Sequence, residues 1–326
     1  MLRILQSLFG FGETSGGYPE SIVKMAIERA VDGTDPWLRA ITGYRKKLRP
    51  AVLKAMDHVV SLVEGLPPPI PVSAGAYRFN PELKSFFISA EEIQGVLEKD
   101  RNLKDFLRKR ENGADTVTAL MFMEKKESRV FGAEMDGDRV IRDIPRTMVS
   151  FESHRLLDPS PDEGKTRFQL KRRAFDYLIR VALQRISSAK SERKDLERRN
   201  ALLLSKIDIL RRGGWGFNGV DSSRCEDVGD LEEKLNLIQS QLASIGSDDC
   251  LLQTYLDILI DVLGHPENHL RGGLETVILD DMGIKREQAS QNASELKLYT
   301  LHDTNGLCRI ARMISLPHEE LQCIRA

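Results

Sequence analysis

Two stretches of the chain repeat apolar residues in alternating steps of four and three, and this pattern constrains the fold more than any other feature. The first stretch runs from Phe175 to Leu210, and nine of its eleven positions are apolar. The second runs from Leu231 to Leu263, and nine of its ten positions are apolar. A mean spacing of 3.5 residues is typical of the seam of a coiled coil. Because a Gly-rich segment lies between the stretches, we predict an antiparallel helical hairpin.

The polar interruptions of the two stretches agree with one register. Antiparallel pairing about the Gly-rich segment places Ile186 opposite Leu256 and Arg193 opposite Asp249. A lone charge in a helical seam is costly unless it is paired, and polar seam residues often set the register. We therefore predict that Arg193 and Asp249 form a register-setting pair. Asn200, the other polar position of the first stretch, has no polar residue directly opposite.

The two predicted arms also differ in charge. Residues 165–212 hold fifteen Lys or Arg against five Asp or Glu, whereas residues 221–249 hold two against eight. Opposite charges beside a seam select the partner and the orientation of coiled-coil helices. The basic arm also allows an alternative, in which it follows the backbone of a nucleic acid. Cross-arm ion pairs are favoured, because the acidic arm would neutralise the basic one and no aromatic residues are interleaved with the cations.

The composition is that of a soluble protein with one large or two ordinary domains. The chain has 326 residues, of which 41% are hydrophobic and 30% charged, and its formal net charge of −1 gives no general attraction to nucleic acid or membrane. Its four cysteines lack CxxC spacing, so we expect reduced thiols and a cytoplasmic location. No stretch approaches the roughly 18 apolar residues of a membrane span. The apolar residues of segment 1–9 leave a weak peripheral membrane contact as an alternative.

Local signals predict a helical first third of the chain. Helix starts are indicated at Pro19, at Asp35-Pro36 and at Pro50, and the Pro-rich segment 65–71 reads as an extended connector. Asn80-Pro81 and a capping box at 89–92 predict short helices that continue to about residue 110.

Beyond residue 115 the apolar period changes from that of a helix to that of a strand. Strands are predicted at 116–124, 129–135, 139–143 and 147–152, with a tight turn at Asp136-Gly137 and with Pro145 between the last two. Two more strands, at 296–302 and 307–314, flank the turn 303–306. An isolated hairpin is marginally stable, so we expect this C-terminal hairpin to join the earlier sheet or to pack on the same core.

These signals together predict an α+β protein that is predominantly helical, with a long antiparallel coiled-coil hairpin inserted in a small antiparallel β-sheet body. The predicted organisation is a helical segment at 1–71, helices and a β-meander at 72–158, the hairpin at 159–264 with its tip near 213–227, and a C-terminal helix and β-hairpin at 265–326, which pack on the 116–152 sheet.

The predicted tip contains Trp215 and Phe217 among four glycines. An aromatic pair on an exposed tip is a candidate contact for a protein partner or a lipid interface. In the alternative interpretation both rings fold back and cap the last layer of the coil.

His265 and His269 are weak candidates for metal ligands. Their spacing of four would place both on one face of a helix, as in many zinc sites. The order of residues is not HExxH, however, and Pro266 indicates that a helix starts there. The chain also lacks P-loop, Rossmann and GxSxG motifs, so the sequence indicates neither a cofactor nor a catalytic residue.

The sequence therefore favours a cytoplasmic interaction or scaffold protein that is not an enzyme and that uses the coiled-coil hairpin to contact a protein partner. A nucleic-acid-associated factor that uses the basic arm is the first alternative, and a metal-dependent enzyme is the second. The arms could pair within one chain or between two chains.

Overall fold

A computed structural model of the chain describes residues 17–108, 116–136, 139–211, 228–245, 248–287, 293–317 and 319–321. It describes the backbone alone at 133–136, 139–142, 209–211, 228, 244–245 and 248–250. In these ranges the fold is α+β and predominantly helical, as the sequence predicts.

The chain divides into two compact units. The sheet unit comprises Met1–Gly17, Met56–Phe175 and Pro266–Ala326, and the helical unit comprises Tyr18–Ala55 and Asp176–His265.

The described helices are α1 (Glu20–Asp32), α2 (Tyr44–Glu64), α3 (Ala74–Tyr77), α4 (Pro81–Phe86), α5 (Ala90–Lys99), α6 (Arg101–Arg108), α7 (Glu163–Arg211), α8 (Val228–Ile245) and α9 (Asp248–Gly264). Two 3₁₀ turns occur at Pro36–Ala40 and Pro266–Asn268. The strands are β1 (Ile70–Pro71), β2 (Thr116–Asp136), β3 (Arg139–Ser160), β4 (Leu270–Asp280), β5 (Ala293–Asp303) and β6 (Cys308–Pro317).

In the helical unit, α1 begins directly after Pro19, as predicted, and buries one apolar face. The predicted cap at Asp35 is also present, since its carboxylate accepts a hydrogen bond from the Trp37 backbone N–H at 3.0 Å. It starts a 3₁₀ turn rather than the expected α-helix.

Helix α2 begins at Tyr44, six residues before the predicted start at Pro50. A proline inside a helix removes one backbone hydrogen bond. The turn that precedes Pro50 is fixed by side chains instead, because the Tyr44 hydroxyl and the Arg45 guanidinium each donate to the Glu28 carboxylate at 2.8 Å. The sequence signal at Pro50 was local, whereas Glu28 belongs to another helix.

Helix α7 has 49 residues, which corresponds to about 73 Å at 1.5 Å per residue. Contacts in the described part of the chain join it to α9. Arg185 forms an ion pair with Asp261 at 2.9 Å, and the Lys190 ammonium lies 4.9 Å from the centre of the Tyr255 ring. As the numbers rise along α7 they fall along α9, so the two helices run in opposite directions there.

In the sheet unit, the predicted caps start the short helices. The Ser89 hydroxyl accepts from the Glu92 N–H at 3.2 Å, and the Glu92 carboxylate accepts from the Ile88 N–H at 2.6 Å. Asn80 caps α4 by accepting from the Glu82 N–H at 2.9 Å. Pairs of this kind satisfy the free N–H groups at the start of a helix.

The four strands predicted between residues 116 and 152 are two long strands, β2 and β3. The predicted break at Pro145 is wrong, since Pro145 lies within β3 opposite Phe131. A proline is tolerated in an edge strand, where its missing N–H has no neighbouring strand to serve. Asp136 pairs with Arg139, which agrees with a two-residue turn, but residues 137–138 themselves lie outside the described ranges.

The strands form one sheet in the order β3-β2-β6-β5-β4, and β1 pairs in parallel with β6. β6 connects the two β regions by pairing with β2, where Val117 lies opposite Leu316. Residues 270–280, which were expected to belong to a C-terminal helix, form β4 and pair with β5 along their whole length. Gly272, Gly273 and the β-branched residues that follow disfavour a helix and suit a strand.

The turn after β4 connects the two edges of this sheet. The Lys285 N–H donates to the Thr147 carbonyl, and the Val149 N–H donates to the Gly283 carbonyl, both at 2.8 Å. Gly283 has φ +74°, and a Cβ there would lie 2.9 Å from the Val149 oxygen, so only glycine suits this turn. The Arg286 N–H donates to the Ile278 carbonyl at 2.9 Å, which connects the same segment to β4. Backbone hydrogen bonds therefore close the strands into a barrel-like ring.

Alternate residues of the five longer strands face the interior of the ring and pack with helices α4–α6. This core includes Val117, Ala119, Met121, Phe151, Val277, Leu298, Ile310 and Ile314 from the strands and Leu83, Phe86, Ile93 and Leu103 from the helices. The opposite face of the sheet packs on the end of α2 and on Leu170 of α7.

Candidate functional site

The apolar seam of α7 is buried in its first part and partly exposed in its second part. Ile179, Ala182 and Ile186 are buried, whereas Leu196 and Leu203 retain intermediate exposure. On α9 the predicted seam residues Leu256, Leu259 and Leu263 are fully buried. The helical period identified in the sequence therefore matches the buried face of both helices.

The predicted register pair lies only partly within the described side chains. Arg193 donates from Nε to Glu197 Oε1 at 2.6 Å, one turn further along α7. Asp249 lies in α9, but its side chain is outside the description, so the pairing with Arg193 stays a prediction. The side-chain amide oxygen of Asn200, Oδ1, is buried and has no hydrogen-bond partner in the described part of the chain.

Trp215 and Phe217 lie outside the described residues, so the proposed role of the tip also stays a prediction. In the second part of α7 and on α8, three leucines that do not occupy seam positions are exposed to solvent. Leu202 and Leu237 are 62% and 60% exposed, and Leu204 is also exposed. Leu237 lies on α8, and the other two lie on α7.

The two candidate metal ligands have different surroundings. The His265 side chain is exposed, and its Nδ1 lies 3.1 Å from the Asp261 carbonyl oxygen. His269 is 3% exposed, and its backbone N–H donates to the Pro266 carbonyl at 3.0 Å. Within the described residues no three His, Cys, Asp or Glu side chains are grouped to hold a metal ion. The helix expected to align the two imidazoles is replaced by a 3₁₀ turn and a strand.

A groove of about 450 Å³ lies in the helical unit between α1 and α7. Its apolar wall is formed by Ile179 and Leu183, and its polar groups are those of Arg29, Asp32, Asp176 and Arg180. Gly33 also lines it, and a Cβ there would lie 2.5 Å from the Ile179 Cγ2 atom. The absence of a side chain at Gly33 thus allows the end of α1 to approach α7 closely.

Both carboxylates of this groove are neutralised by arginines. Asp176 accepts two hydrogen bonds of 2.5 Å from Arg29, and these bonds raise the pKa of the Arg29 guanidinium. Asp32 accepts from Arg39 at 2.5 Å. Arg180, by contrast, makes no ion pair or side-chain hydrogen bond to any residue that the structure describes. The groove therefore contains one guanidinium whose charge is not balanced by a neighbour.

The face of α7 that starts at Arg180 carries a stripe of exposed residues, which we call the basic stripe. In steps of three and four it consists of Arg180, Leu183, Ser187, Ser191, Lys194, Arg198 and Leu202, all of them exposed. None of the seven is acidic. Like Arg180, Lys194 and Arg198 have no ion-pair partner among the described residues.

Most of the other cations of α7 are engaged within the protein, which reduces the positive field that the sequence suggested. Seven of them form ion pairs of 3.2 Å or less: Lys165–Asp162, Arg167–Glu163, Lys171–Glu64, Arg173–Asp158, Arg185–Asp261, Lys190–Asp35 and Arg193–Glu197. The unbalanced charge of the helix is thus concentrated on the basic stripe and on the neighbouring Arg199.

The ring of the sheet unit has a polar cluster at one end of its interior. Lys125 forms an ion pair with Glu275 at 2.5 Å, and the Cys308 sulfur lies 3.7 Å from His302 Nε2. Burial and the nearby Glu275 carboxylate raise the pKa of the Cys308 thiol, so the thiol is protonated near neutral pH. The charged groups of this cluster pair with one another, and the thiol lacks the activation that a nucleophile needs.

Neither the groove nor the basic stripe is among the candidate sites predicted from the sequence. In the sequence analysis Arg180 is one cation of the basic arm, and Leu183 is not a seam position. A walk along α7 in steps of three and four from Arg180 would have found the stripe, because it meets no acidic residue before Leu202. The groove had no comparable signal, since it depends on how α1 packs on α7.

Comparisons of the chain with protein-family models, with curated proteins and with solved structures found no match. In the described part of the chain no helix has both the length and the apolar character that crossing a bilayer requires.

Proposed function

We propose that this chain is an interaction protein without enzymatic activity, which contacts a protein partner through helices α7 and α8. The observation that carries the proposal is the exposure of Leu202, Leu204 and Leu237 on these helices. Burying a leucine fully is worth on the order of 1.5–3 kcal/mol, so a partner that covers these side chains would gain free energy. Large apolar side chains that share one exposed surface are typical of protein interfaces. Leu202 and Leu204 are two residues apart and lie on opposite faces of α7, so the proposed surface combines Leu202 with Leu237.

The proposed arrangement of the helices is the antiparallel coiled-coil hairpin. It is supported by the opposite directions of α7 and α9 and by the burial of their seam residues. Leu202 and Leu237 each come directly before a seam position of their own stretch, so they occupy equivalent heptad positions outside the seam. In the predicted register they lie at nearly the same level of the hairpin. They would then contribute to one surface.

A nucleic-acid partner is less favoured, because seven cations of α7 already pair with carboxylates. A proposal of metal-dependent catalysis finds no support in the surroundings described for His265 and His269.

The test is a quantitative affinity capture from native cell extract with the full chain. The interface variant is the double substitution Leu202→Gln and Leu237→Gln. The matched control is Leu274→Gln, which changes a leucine of the sheet unit that is 63% exposed. A third variant replaces residues 213–227 by a short Gly/Ser turn and tests the aromatic tip separately.

We expect one or more proteins to be captured by the intact chain and by the control, and to fall at least about tenfold in the interface variant. Circular dichroism melts of all variants show whether folding is intact. Equal capture by the interface variant and the control would contradict the proposal, and so would capture of nucleic acid alone. Loss with the tip variant would assign the segment 213–227, which contains Trp215 and Phe217, to the interface.

A further inference from the structure

We infer that the basic stripe of α7, together with the groove beside Arg180, is the docking surface for an acidic amphipathic helix of a protein partner. This inference rests on the proposed function and names the chemistry of the partner and the place where it binds. It would use a different face of α7 from the buried seam.

The positive charge of the surface is complementary to a partner of negative charge. Arg180, Lys194 and Arg198 lie on the stripe, and their charges are not balanced by other described residues. The neighbouring Asp195 and Arg199 border the stripe on one side and offset each other in charge. In the groove, Asp176 and Asp32 are neutralised by Arg29 and Arg39, so the free charge that a ligand meets is that of Arg180. Carboxylates of a partner at these positions would gain complementary contacts.

The apolar residues of the surface would be buried by apolar side chains of the same partner. Leu183 and Leu202 lie near the two ends of the stripe, and Leu183 also forms part of the groove wall with Ile179. A cavity of about 450 Å³ is large enough to receive a leucine- or phenylalanine-sized side chain. The partner should therefore carry an apolar side chain near an acidic one, so that the first enters the groove and the second meets Arg180.

The shape of the stripe suits a helix. Ser187 and Ser191 occupy its centre, and their small side chains allow close approach of a second helix. Packed helices lie 8–10 Å apart, with small residues at the closest approach giving the shorter distances. From Arg180 to Leu202 the stripe extends for about 33 Å, which corresponds to a partner helix of roughly 22 residues.

A protein helix explains these features better than a nucleic acid does. Proteins that bind single strands combine cations with aromatic side chains on which bases stack, and the stripe contains no aromatic residue. The exposed Leu183 and Leu202 offer nothing to a phosphate backbone. Their place in the stripe is accounted for by an amphipathic peptide, which brings both carboxylates and apolar side chains.

The first experiment traps the partner at the stripe. A photo-crosslinking amino acid is placed at Ser191 in the full chain, and at Ser294, an exposed serine of the sheet unit, as control. We expect crosslinks at Ser191 to a protein segment that is helical in pattern, has net negative charge and carries apolar residues at helical spacing. Trapping of nucleic acid, or of segments equally frequent at Ser294, would overturn the inference.

The second experiment measures the binding of that trapped segment, made as a labelled synthetic peptide, to the full chain by fluorescence anisotropy. The double reversal Arg180→Glu and Arg198→Glu should weaken binding about tenfold or more, and Leu183→Gln should weaken it to a similar extent. Reversal of an exposed lysine in the sheet unit, Lys297→Glu, should change the affinity less than about twofold. Binding should also weaken as salt is raised, since the contacting charges are exposed.

The outcomes separate this inference from the proposed function. If a captured protein depends on Leu202 and Leu237 but is neither crosslinked at Ser191 nor weakened by the reversals, the proposed function stands and the docking surface is wrong. If no protein depends on either surface, both are wrong. Binding that is unaffected by the reversals but lost with Leu183→Gln would show an apolar contact and would overturn the acidic character of the partner.

Discussion

The sheet unit and the helical unit differ in how they arrange the cations that lack an ion pair. In the sheet unit some strand cations are matched by acidic neighbours, as in the pairs Arg312–Glu82, Lys125–Glu275 and Arg309–Glu124. Those without an ion pair among the described residues, such as Arg129 and Lys297, stand on different strands. In the helical unit α7 keeps Arg180, Lys194 and Arg198 without partners among the described residues. Charges that a fold satisfies internally serve its stability, whereas exposed charges that it leaves unbalanced are available to a partner.

The exposed apolar residues differ in a similar way. In the sheet unit Phe79 and Ile88 stand at the turns beside short helices, and the Tyr77 hydroxyl donates to the Ile88 carbonyl at 2.8 Å. Leu202 and Leu204 lie within a continuous long helix instead. Single exposed apolar residues are common on protein surfaces, and Phe131 and Leu274 are examples within strands of the sheet unit. The exposed leucines of α7 need an explanation only where they share a surface, as proposed for Leu202 and Leu237.

The largest expected effect compares one substitution in both units. Leu298→Ala removes a side chain that is 1% exposed in the core of the ring, and we expect it to lower the free energy of unfolding by about 2–5 kcal/mol. Leu202→Ala should lower it by less than about 0.5 kcal/mol, because its side chain is exposed. Urea denaturation measures both. Similar losses in the two variants would mean that Leu202 is packed within the fold and is not available to a partner.

The next effect concerns the use of charge. Glu82→Gln removes the charge that faces the buried Arg312, whose guanidinium also donates to the Pro68 carbonyl at 2.8 Å. We expect a loss of about 2–3 kcal/mol, since a buried charge is left without its counter-ion. Arg180→Gln should leave the stability unchanged within about 0.5 kcal/mol. A large loss with Arg180→Gln would show that its charge serves the fold, contrary to the comparison.

Asn200 offers a change in the opposite direction. The buried side-chain oxygen Oδ1 of Asn200 has no hydrogen-bond partner among the described residues. Asn200→Leu removes this atom and should raise the free energy of unfolding by about 1 kcal/mol. Thermal and urea unfolding measure the gain, and sedimentation checks that the oligomeric state is unchanged. A loss of stability, or a new oligomer, would indicate that Asn200 specifies the pairing of the helices.

The register of the predicted hairpin can be tested by exchange of charges. Arg193→Asp and Asp249→Arg should each destabilise the protein, and the double exchange should recover roughly 0.5–1 kcal/mol relative to the sum of the single losses. Double-mutant unfolding curves give this coupling energy. Strict additivity would reject the proposed pairing of Arg193 with Asp249.

The smallest effect is a pH dependence located in the sheet unit. His154 stacks on Phe87 at 4.6 Å and its Nε2 lies 2.9 Å from the Phe86 carbonyl oxygen, while burial lowers the pKa of the imidazole. The unfolded chain therefore binds a proton at a higher pH than the folded chain does. Stability should be fully present above the unfolded pKa near 6.5, and part of it should be lost as pH falls towards the lower folded value. The carboxylate of Glu92 acts in the opposite sense and limits the shift.

Urea unfolding of the parent and of His154→Gln between pH 5 and 8 tests this effect. The parent should lose more stability than the variant below pH 6.5, with equal pH slopes above it. Identical profiles throughout would show that His154 is not the group responsible.

Several parts of the fold could be predicted from sequence because their signals lie within a few residues. The capping box at Ser89, the cap at Asn80 and the helix after Pro19 were all identified correctly, since a cap and the N–H group it serves are neighbours in the chain. The turn before Gly306 was also correct, because glycine there adopts φ +76°. The buried face of α7 could be predicted because residues on one face of a helix recur at a fixed spacing in the sequence.

Other parts could not be predicted because they depend on residues far apart in sequence. β4 was expected to be helical, and it is a strand because β5 pairs with it along its length. The break expected at Pro145 does not occur, because β2 continues opposite it. The ring closes only when residues near Gly283 reach the edge at Val149, a separation that no local pattern records.

The sequence by itself determined which segments are helices with an apolar face, where their caps lie and that α7 carries an excess of positive charge. Only the tertiary structure decided which of those charges remain available. Asp35, Glu64 and Asp261 neutralise cations of α7 because folding brings them within ion-pair distance. Arg180 is left beside a groove that Gly33 and Ile179 line. The physical reason is that a helical period is fixed by local backbone geometry, whereas charge balance and cavities depend on contacts between distant segments.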